Sequence, residues 1–175
     1  MKVAFEKYGY FFRTVEMEDA SKIVSLRCNS KLGKYLNNTE NNIEKQIQWL
    51  EKYFENEQNG NEYYFAISDL ENNVLGFNRL YNIKDNYFEL GSWIFDIQAP
   101  SGAAILGDLA VRDYAFEILK LEYCTFEVRK SNKSVVNYHL KFSPEKLGED
   151  DLNYYFRLNY VSYRKHRDVL LKILL

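Results

Sequence analysis

Apolar side chains recur along this chain with two different periods, and each change of period marks a predicted element. A first strand is predicted at residues 8–15 and a helix at 16–28, followed by a polar loop at 29–42. The clearest amphipathic helix is predicted at 42–57, with Asn41 as its N-cap. Its apolar side chains are three or four positions apart: Ile43, Ile47, Leu50 and Phe54.

The middle of the chain predicts strands with short connections. Segments 62–69, 73–81 and 87–96 are separated by turn signals rich in Asn, Asp and Lys. Strands joined by turns this short run antiparallel. The sequence therefore predicts an antiparallel sheet in this region.

The second half of the chain predicts a different order of elements. A long helix, buried over most of its surface, is predicted at 102–119, and a cleanly alternating strand at 122–129. A strand, a helix and a further strand in this order form a parallel crossover. A helix at 132–142, a strand at 152–159 and a closing helix at 161–174 follow, although the last residues would also fit a strand.

Composition agrees with one α/β domain over residues 1–175, with a mixed sheet flanked by helices. The chain has 46% hydrophobic and 27% charged residues, which is typical of a folded globular protein. A formal net charge of −2 argues against a nucleic-acid partner, which requires a basic surface. We also expect no membrane span and no signal peptide, since apolar runs are short and the first ten residues lack a leader's layout.

Cysteine and histidine are too scarce for a disulfide framework or a histidine-rich metal site. Cys28 and Cys124 match no zinc spacing, and His139 and His166 are the two histidines, so we expect no metal. This cysteine usage favours a reduced, cytoplasmic protein. The aromatic run at 154–156 indicates a possible homodimer surface.

A loop of small residues before the long helix carries the clearest chemical signal. Small side chains allow backbone N–H groups to approach a ligand, and a helix N-terminus adds partial positive charge, so the loop suits phosphate. A tight turn without a ligand explains the same residues equally well. The candidate phosphate-binding residues are Ser101, Gly102, Ala103 and Ala104.

The order of elements and several short motifs resemble the GCN5-related N-acetyltransferase (GNAT) family over nearly the whole chain. Arg13 with Asp19 and Ala20 is similar to the family's opening motif, and residues 89–94 resemble its fourth strand. Ala99 departs from the family's phosphate loop, which has Arg or Gln there. The segment after the fifth strand matches at Asn132, Ser134, Tyr138, Lys141 and Phe142.

This resemblance implies a GNAT fold and direct transfer of an acetyl group from acetyl-CoA to a primary amine. Backbone groups at Trp93, Ile94 and Phe95 would bind the pantetheine arm, and Asn132 and Ser134 would also contact the cofactor. The phosphate loop is expected to bind through its backbone alone.

The loop region at 91–106 further resembles a GNAT subgroup from bacterial surface-polysaccharide biosynthesis. That likeness implies a small-molecule acceptor, an amino group on a nucleotide-linked sugar. Two alternatives remain open. The chain could acetylate a protein N-terminus or a polyamine, or it could be a GNAT-fold module that binds acyl-CoA without catalysis.

Three residues are candidates for proton transfer. The resemblance places Tyr138 where the family protonates the leaving thiolate, although Tyr138 also fits a core position. A neutral His139 would be a plausible base, while a structural histidine is the commoner case. Glu89, predicted to share a strand face with Trp93, could be the base, hold the ammonium, or pair with Arg79 across the hairpin.

Four residues are candidates for binding the acceptor. Arg27 suits a pyrophosphate, and Tyr35 could stack on a base or a sugar. Arg79, which alternates with Tyr81 on one strand face, could bind a phosphate or a sugar hydroxyl. A cross-strand ion pair is the alternative explanation for Arg79.

Overall fold

One mixed sheet organises the chain, and the computed structural model describes it over residues 2–175. The strands of this region are β1 (Ala4–Lys7), β2 (Tyr10–Thr14), β3 (Tyr63–Ser68), β4 (Val74–Lys84), β5 (Tyr87–Phe95), β6 (Tyr123–Arg129), β7 (Glu145–Glu149) and β8 (Asn153–Asn159). They lie in the order β1-β2-β3-β4-β5-β6-β8-β7. Only β5 and β6 are parallel neighbours there.

The helices that cover the sheet within residues 2–175 are α1 (Ala20–Arg27), α2 (Ile43–Gln58), α3 (Ala103–Asp113), α4 (Lys133–Leu140) and α5 (Tyr160–Leu174). Helix α3 connects the parallel pair β5 and β6, as the crossover pattern predicts. The predicted fold class, a mixed α/β sheet that is antiparallel first and then has one parallel crossover, is confirmed. None of these helices is both long and apolar enough to cross a membrane.

Two apolar cores lie on opposite faces of the sheet. On the first face, which we call the α1/α2 face, Ile23 and Leu50 pack against Tyr64 and Phe77. The second face, here the α3 face, carries the larger core of α3, α4 and α5 side chains. Burial on both faces explains why β3 reads as an almost continuous apolar run.

The predicted first strand at 8–15 is confirmed as β2 over Tyr10–Thr14, but its first two residues form the turn of a hairpin with β1, which was not predicted. Tyr8 and Gly9 have φ angles of 53° and 80°, which join β1 to β2 by a two-residue turn. Two consecutive residues with positive φ give the twist that adjacent strands need. The usual Asn-Gly or Asp-Gly signal is missing, so the pattern of apolar residues alone does not reveal the turn.

Other differences concern the ends of elements and one exposed strand. The N-cap of α2 is Asn42 rather than Asn41, since the Asn42 side chain accepts a hydrogen bond from the Lys45 N–H at 3.1 Å. Strand β7 was not predicted, because its residues are mostly exposed and show no apolar face. The chain end is helical as far as Leu174, which excludes the alternative strand there.

Phe156 is buried, so it cannot contribute to a dimer surface at 154–156.

A glycine-to-alanine pair tests the close packing between β4 and β5. A Cβ atom at Gly76 would lie 2.4 Å from Phe95 Cγ and 2.6 Å from the Ile94 carbonyl oxygen, whereas a Cβ at Gly148 meets nothing within 4 Å. We expect Gly76→Ala to lower the unfolding free energy by about 1–3 kcal/mol. Gly148→Ala should stay within about 0.5 kcal/mol of the parent. Urea unfolding measures both, and equal values would contradict the packing described.

Candidate active site

Strands β5 and β6 separate after three paired residues, which leaves a wedge-shaped gap in the sheet. Their pairing covers Tyr87–Glu89 against Tyr123–Thr125, and both strands continue past it. Strand β5 pairs with β4 on its other side, and β6 pairs with β8. Backbone groups that face the gap therefore have no strand partner. An extended ligand with amide groups can pair with such edges.

A β-bulge in β5 sets which side chains enter the gap. The register with β4 shifts in this stretch, and Ser92 has a φ of 52°. Ser92 Oγ accepts a hydrogen bond from Arg27 on the α1/α2 face, at 3.3 Å. Trp93 points to the other face, where its Nε1 donates to the Ala104 carbonyl at 3.1 Å. The prediction that Trp93 shares a face with Glu89 is wrong, because a bulge adds one residue and shifts the alternation.

Three connected cavities form a groove through the gap. The outer cleft, about 380 Å³, lies on the α1/α2 face between Arg27, Trp49 and Arg79. The middle cavity, about 190 Å³, shares Arg27, Arg79 and Ser92 with it. The inner cavity, about 120 Å³, shares Tyr35 and Ser92 with the middle one and reaches α3 and α4. Two ligands could therefore enter from opposite faces and meet at the gap.

A buried ion pair of α3 lies at the inner end of the groove. Arg112 Nε donates to Asp108 Oδ2 at 2.8 Å, with both side chains almost fully buried. Asn78 Nδ2 and the Tyr138 hydroxyl donate to the same carboxylate at 3.0 and 2.7 Å. Arg112 Nη2 lies 3.1 Å from His139 Nδ1. Buried charges are tolerated when they are partnered in this way.

This network determines what His139 can do. Burial, and then the positive charge of Arg112, lower the pKa of His139 to about 3, so the ring is neutral at physiological pH. A guanidinium can only donate, so Nδ1 must accept and the ring proton must lie on Nε2. Because His139 lines the inner cavity, it offers that cavity an N–H donor rather than a base.

Tyr138 is buried like His139 but does not line the groove. Its ring packs 5.2 Å from the Trp93 ring and 5.4 Å from the Phe142 ring, measured between centroids. Burial, followed by the negative charge of Asp108, raises the pKa of Tyr138 well above its usual value. Asp108 therefore holds the phenolic proton of Tyr138 in the core.

Two arginines shape the outer cleft. Arg79 pairs with buried Glu62, and its guanidinium lies 4.8 Å from the Trp49 ring centroid and 4.7 Å from that of Tyr81. Arg27 donates to Thr39 Oγ1 at 2.6 Å, besides its bond to Ser92. Arg27 thus joins the 29–42 loop to the bulge in β5.

The loop before α3 presents free backbone donors. Gly102 is the N-cap with a φ of 85°, and the Ala103 N–H bonds to the Pro100 carbonyl at 3.0 Å. The N–H groups of Ala104 and Ile105 have no acceptor within residues 2–175. The N-terminus of α3 therefore keeps donors and partial positive charge for a ligand. The Ala103 side chain, by contrast, is fully buried in the core.

Comparison with known proteins decides the family. A family model described as an acetyltransferase (GNAT) domain matches residues 10–142. The chain belongs to the GNAT acetyltransferase family. The resemblance seen in the sequence and the expectation of an acetyltransferase enzyme are thereby confirmed. A search of curated proteins finds no match.

Solved structures agree with this membership. One described as apo FdhC, a nucleotide-linked sugar GNAT, has a TM-score of 0.87 at 32% identity and covers 100% of both chains. Spermidine N-acetyltransferase from Vibrio cholerae, in complex with CoA and spermine, has a TM-score of 0.77 at 19% identity, covering 90% of this chain and 99% of that one. Ribosomal-protein-S5-alanine acetyltransferase from Vibrio fischeri has a TM-score of 0.75 at 16% identity, covering 90% and 97%. The last two show the fold alone.

The groove of this GNAT protein brings together many of the residues selected from the sequence. Ile94 and Phe95 have buried side chains on opposite faces, so only their backbone can reach a ligand. Ser134 is exposed and lies outside the groove lining. The selected residues whose side chains line the groove are Arg27, Tyr35, Arg79, Tyr81, Trp93, Asn132 and His139.

Glu89 has a different setting from the one expected. It lies opposite Tyr81 in the β4–β5 pairing, and Arg79 pairs with Glu62 instead. Of the three alternatives for Glu89, the ion pair with Arg79 is therefore wrong. Burial, then the charge of Glu89, raise the pKa of Tyr81 to about 12. Glu89 itself lines a separate polar cleft beside the β4–β5 turn.

Sequence reasoning missed several residues of the groove. Asp108 and Arg112 are four residues apart in an otherwise apolar helix, and this spacing could have indicated an internal ion pair. Glu127 lines both the middle and the inner cavity. Alternation assigns Glu127 to one face of β6, but nothing local shows that the neighbouring strand has diverged.

Replacing Tyr138 by Phe tests the two interpretations of this residue. We expect the unfolding free energy to fall by about 1–3 kcal/mol, because buried Asp108 loses one hydrogen-bond donor. We expect kcat to fall less than about tenfold, because the contacts hold the phenolic proton away from the cavity. Urea unfolding and steady-state kinetics well below the transition temperature measure the two effects. A fall in kcat of roughly 100-fold or more would instead assign general-acid catalysis to Tyr138.

Proposed function

We propose that this GNAT protein transfers the acetyl group of acetyl-CoA to the amine of a nucleotide-linked amino sugar. The observation that supports this proposal most directly is the continuous groove, which joins a cation-lined outer cleft to the gap between β5 and β6. The 32% identical neighbour, described as a nucleotide-linked sugar GNAT, supports the same acceptor class.

The residues present fit acetyl-CoA on the α3 side of the gap. We expect β5 backbone groups at Trp93, Ile94 and Phe95 to pair with the pantetheine amides, since that edge lacks a strand partner. The free N–H groups at the start of α3, with Ser101 and Gly102, would hold phosphate. Asn132 lines the inner cavity beside this path, and Ser134 follows it at the start of α4.

Catalysis at the gap requires a donor and a proton acceptor. Acetyl-CoA supplies the thioester that the amine attacks. An unpaired N–H of β5, together with the Nε2–H of His139, can donate to the oxygen that gains charge. These donors are fixed before substrate arrives, which is the condition for efficient electrostatic stabilisation. As the amine bonds to the carbonyl carbon and the C–S bond breaks, the CoA thiolate would leave and take a proton from solvent or from Tyr138. The kinetics of Tyr138→Phe decide between these two sources.

The amine must lose a proton, because only a neutral amine is nucleophilic. Glu127 lines the middle and inner cavities and is exposed to solvent, so water can carry the proton to it. Glu89 lies on the adjacent strand of the same sheet, next to the Tyr81 hydroxyl. We propose Glu127 as the acceptor of the proton, since Glu89 lines a separate cleft.

The charge of the outer cleft argues against a polyamine acceptor. Its lining has three cationic side chains, Arg27, Lys45 and Arg79, against one carboxylate, Glu40, in the described part of the chain. Glu40 pairs with Lys45 and Glu62 pairs with Arg79, so within residues 2–175 the cation of this lining without a carboxylate partner is Arg27, and the balance stays positive. A polycation would meet repulsion there, whereas a diphosphate would be attracted.

A panel of amines tests the acceptor class. Thiol release from acetyl-CoA is followed with nucleotide-linked amino sugars, the matching free amino sugars, spermidine, and a peptide with a free N-terminus. We expect kcat/KM for a nucleotide-linked amino sugar to exceed the other values by roughly 100-fold, because the diphosphate contributes binding energy. Preference for spermidine or the peptide would overturn the acceptor class, and no thiol release with any amine would indicate a binding module.

The phosphate loop is tested at Ser101, which is exposed and can carry a charge without disturbing the core. We expect Ser101→Asp to weaken acetyl-CoA binding about tenfold at low salt through repulsion of the phosphates, and less at high salt. Ser101→Asn, which has the same shape and no charge, is the matched control. Calorimetric titration measures both variants, and equal affinities at low salt would place the phosphates elsewhere.

A further inference from the structure

A buried hydroxyl without a partner lies in the wall of the outer cleft. The Tyr64 side chain is 2% exposed and packs against Trp49, Tyr53 and Phe77. Its hydroxyl has no hydrogen-bond partner within residues 2–175, yet Tyr64 lines the cleft. Buried polar atoms normally have a hydrogen-bond partner. An unpaired buried hydroxyl at a cleft therefore indicates a partner that comes from a bound ligand rather than from the chain.

Neighbouring tyrosines show that this situation is local to Tyr64. The Tyr53 hydroxyl accepts a hydrogen bond from the Tyr64 backbone N–H at 2.8 Å. The Tyr138 hydroxyl donates to Asp108, and that of Tyr163 donates to Asp113 at 2.8 Å. The packing of the core therefore provides partners for these three hydroxyls but not for that of Tyr64, which lines the cleft.

Two guanidinium groups share the cleft with this hydroxyl. Arg79 lies directly opposite Tyr64 in the pairing of β3 with β4, so the two side chains leave the same face as cross-strand neighbours. Arg79 Nε donates to Glu62, and the rings of Trp49 and Tyr81 pack against the Arg79 guanidinium. Arg79 Nη1 and Nη2 have no hydrogen-bond partner within residues 2–175.

Arg27 completes the group from α1. Its positive charge, that of Arg79 and the approach of the Arg27 guanidinium to the hydroxyl oppose the burial that raises the pKa of Tyr64 to about 12. Both arginines line the same cleft as Tyr64. A preorganised arginine with free Nη donors beside a neutral hydroxyl that can donate suits an oxyanion.

We propose that Tyr64, Arg79 and Arg27 form an anion subsite that binds a phosphate of the acceptor's diphosphate, an inference that rests on the proposed function. The Tyr64 hydroxyl donates to a phosphate oxygen and gains the partner it lacks. The arginines neutralise the phosphate charge. The subsite holds the acceptor by the part that does not react, so its contribution is to affinity rather than to the chemical step.

Tyr64→Phe tests the subsite, because it removes the hydroxyl alone. We expect calorimetry to show about tenfold weaker binding of uridine diphosphate and of inorganic pyrophosphate. We expect kcat/KM for the acceptor to fall by a similar factor through KM, with the acetyl-CoA Kd unchanged. The urea midpoint should stay level or rise, since the variant no longer buries an unpaired hydroxyl.

Tyr53→Phe is the matched control, since its hydroxyl is buried beside Tyr64 but already partnered. It should lower the urea midpoint and leave pyrophosphate binding unchanged. Wild-type affinity for both probes in Tyr64→Phe, with a lower urea midpoint, would overturn the subsite and make the hydroxyl structural.

The two proposals fail in different ways. If nucleotide-linked amino sugars are acetylated with the same KM by the parent and by Tyr64→Phe, the subsite is wrong and the proposed function stands. If pyrophosphate binding depends on Tyr64 but no nucleotide-linked sugar is acetylated, the subsite stands and the proposed acceptor is wrong. Absence of pyrophosphate binding in the parent protein would overturn the subsite directly.

Discussion

The separation of β5 from β6 is the constraint on which the rest of the site depends. A sheet that divides in its interior leaves two rows of backbone donors and acceptors without partners, and such groups are costly to bury. Polar side chains line this gap, at a place where the larger core is otherwise apolar. Asn78 and the Asp108–Arg112 pair line its inner end, and His139 closes it from α4. The gap and the buried network are therefore two consequences of one divergence.

The groove changes character from one face of the sheet to the other. On the α1/α2 face it is cationic and open, and its arginines are held in place by Glu62, Trp49 and the 29–42 loop. On the α3 face its charges are neutralised within the network, and His139 contributes a neutral donor. An anionic acceptor needs the first environment, and a carbonyl group that gains negative charge needs the second. The arrangement thus separates substrate attraction from stabilisation of the reacting group.

Local patterns predicted the elements whose structure depends on near neighbours. The β4–β5 hairpin and the crossover through α3 follow from periodicity and turn residues, and both are present. The Ser92 bulge could not be predicted, because its register depends on β4 as well as on β5. The burial of Asp108 depends on partners from β4 and α4, which are distant in sequence. Tyr64 fits the pattern of an ordinary apolar strand residue, and only the missing hydrogen-bond partner of its hydroxyl distinguishes it.

The loop at 29–42 has a further consequence for how the protein behaves among other chains. An unpaired strand edge is a template on which foreign segments add and aggregation begins. Here Tyr35 lines both the middle and inner cavities, and its hydroxyl approaches the Ser131 carbonyl across the gap, at 3.5 Å. The Tyr35 side chain thus occupies part of the space beside the edge that an added strand would use. The loop at 29–42 therefore reduces the length of open edge that a foreign strand could pair with.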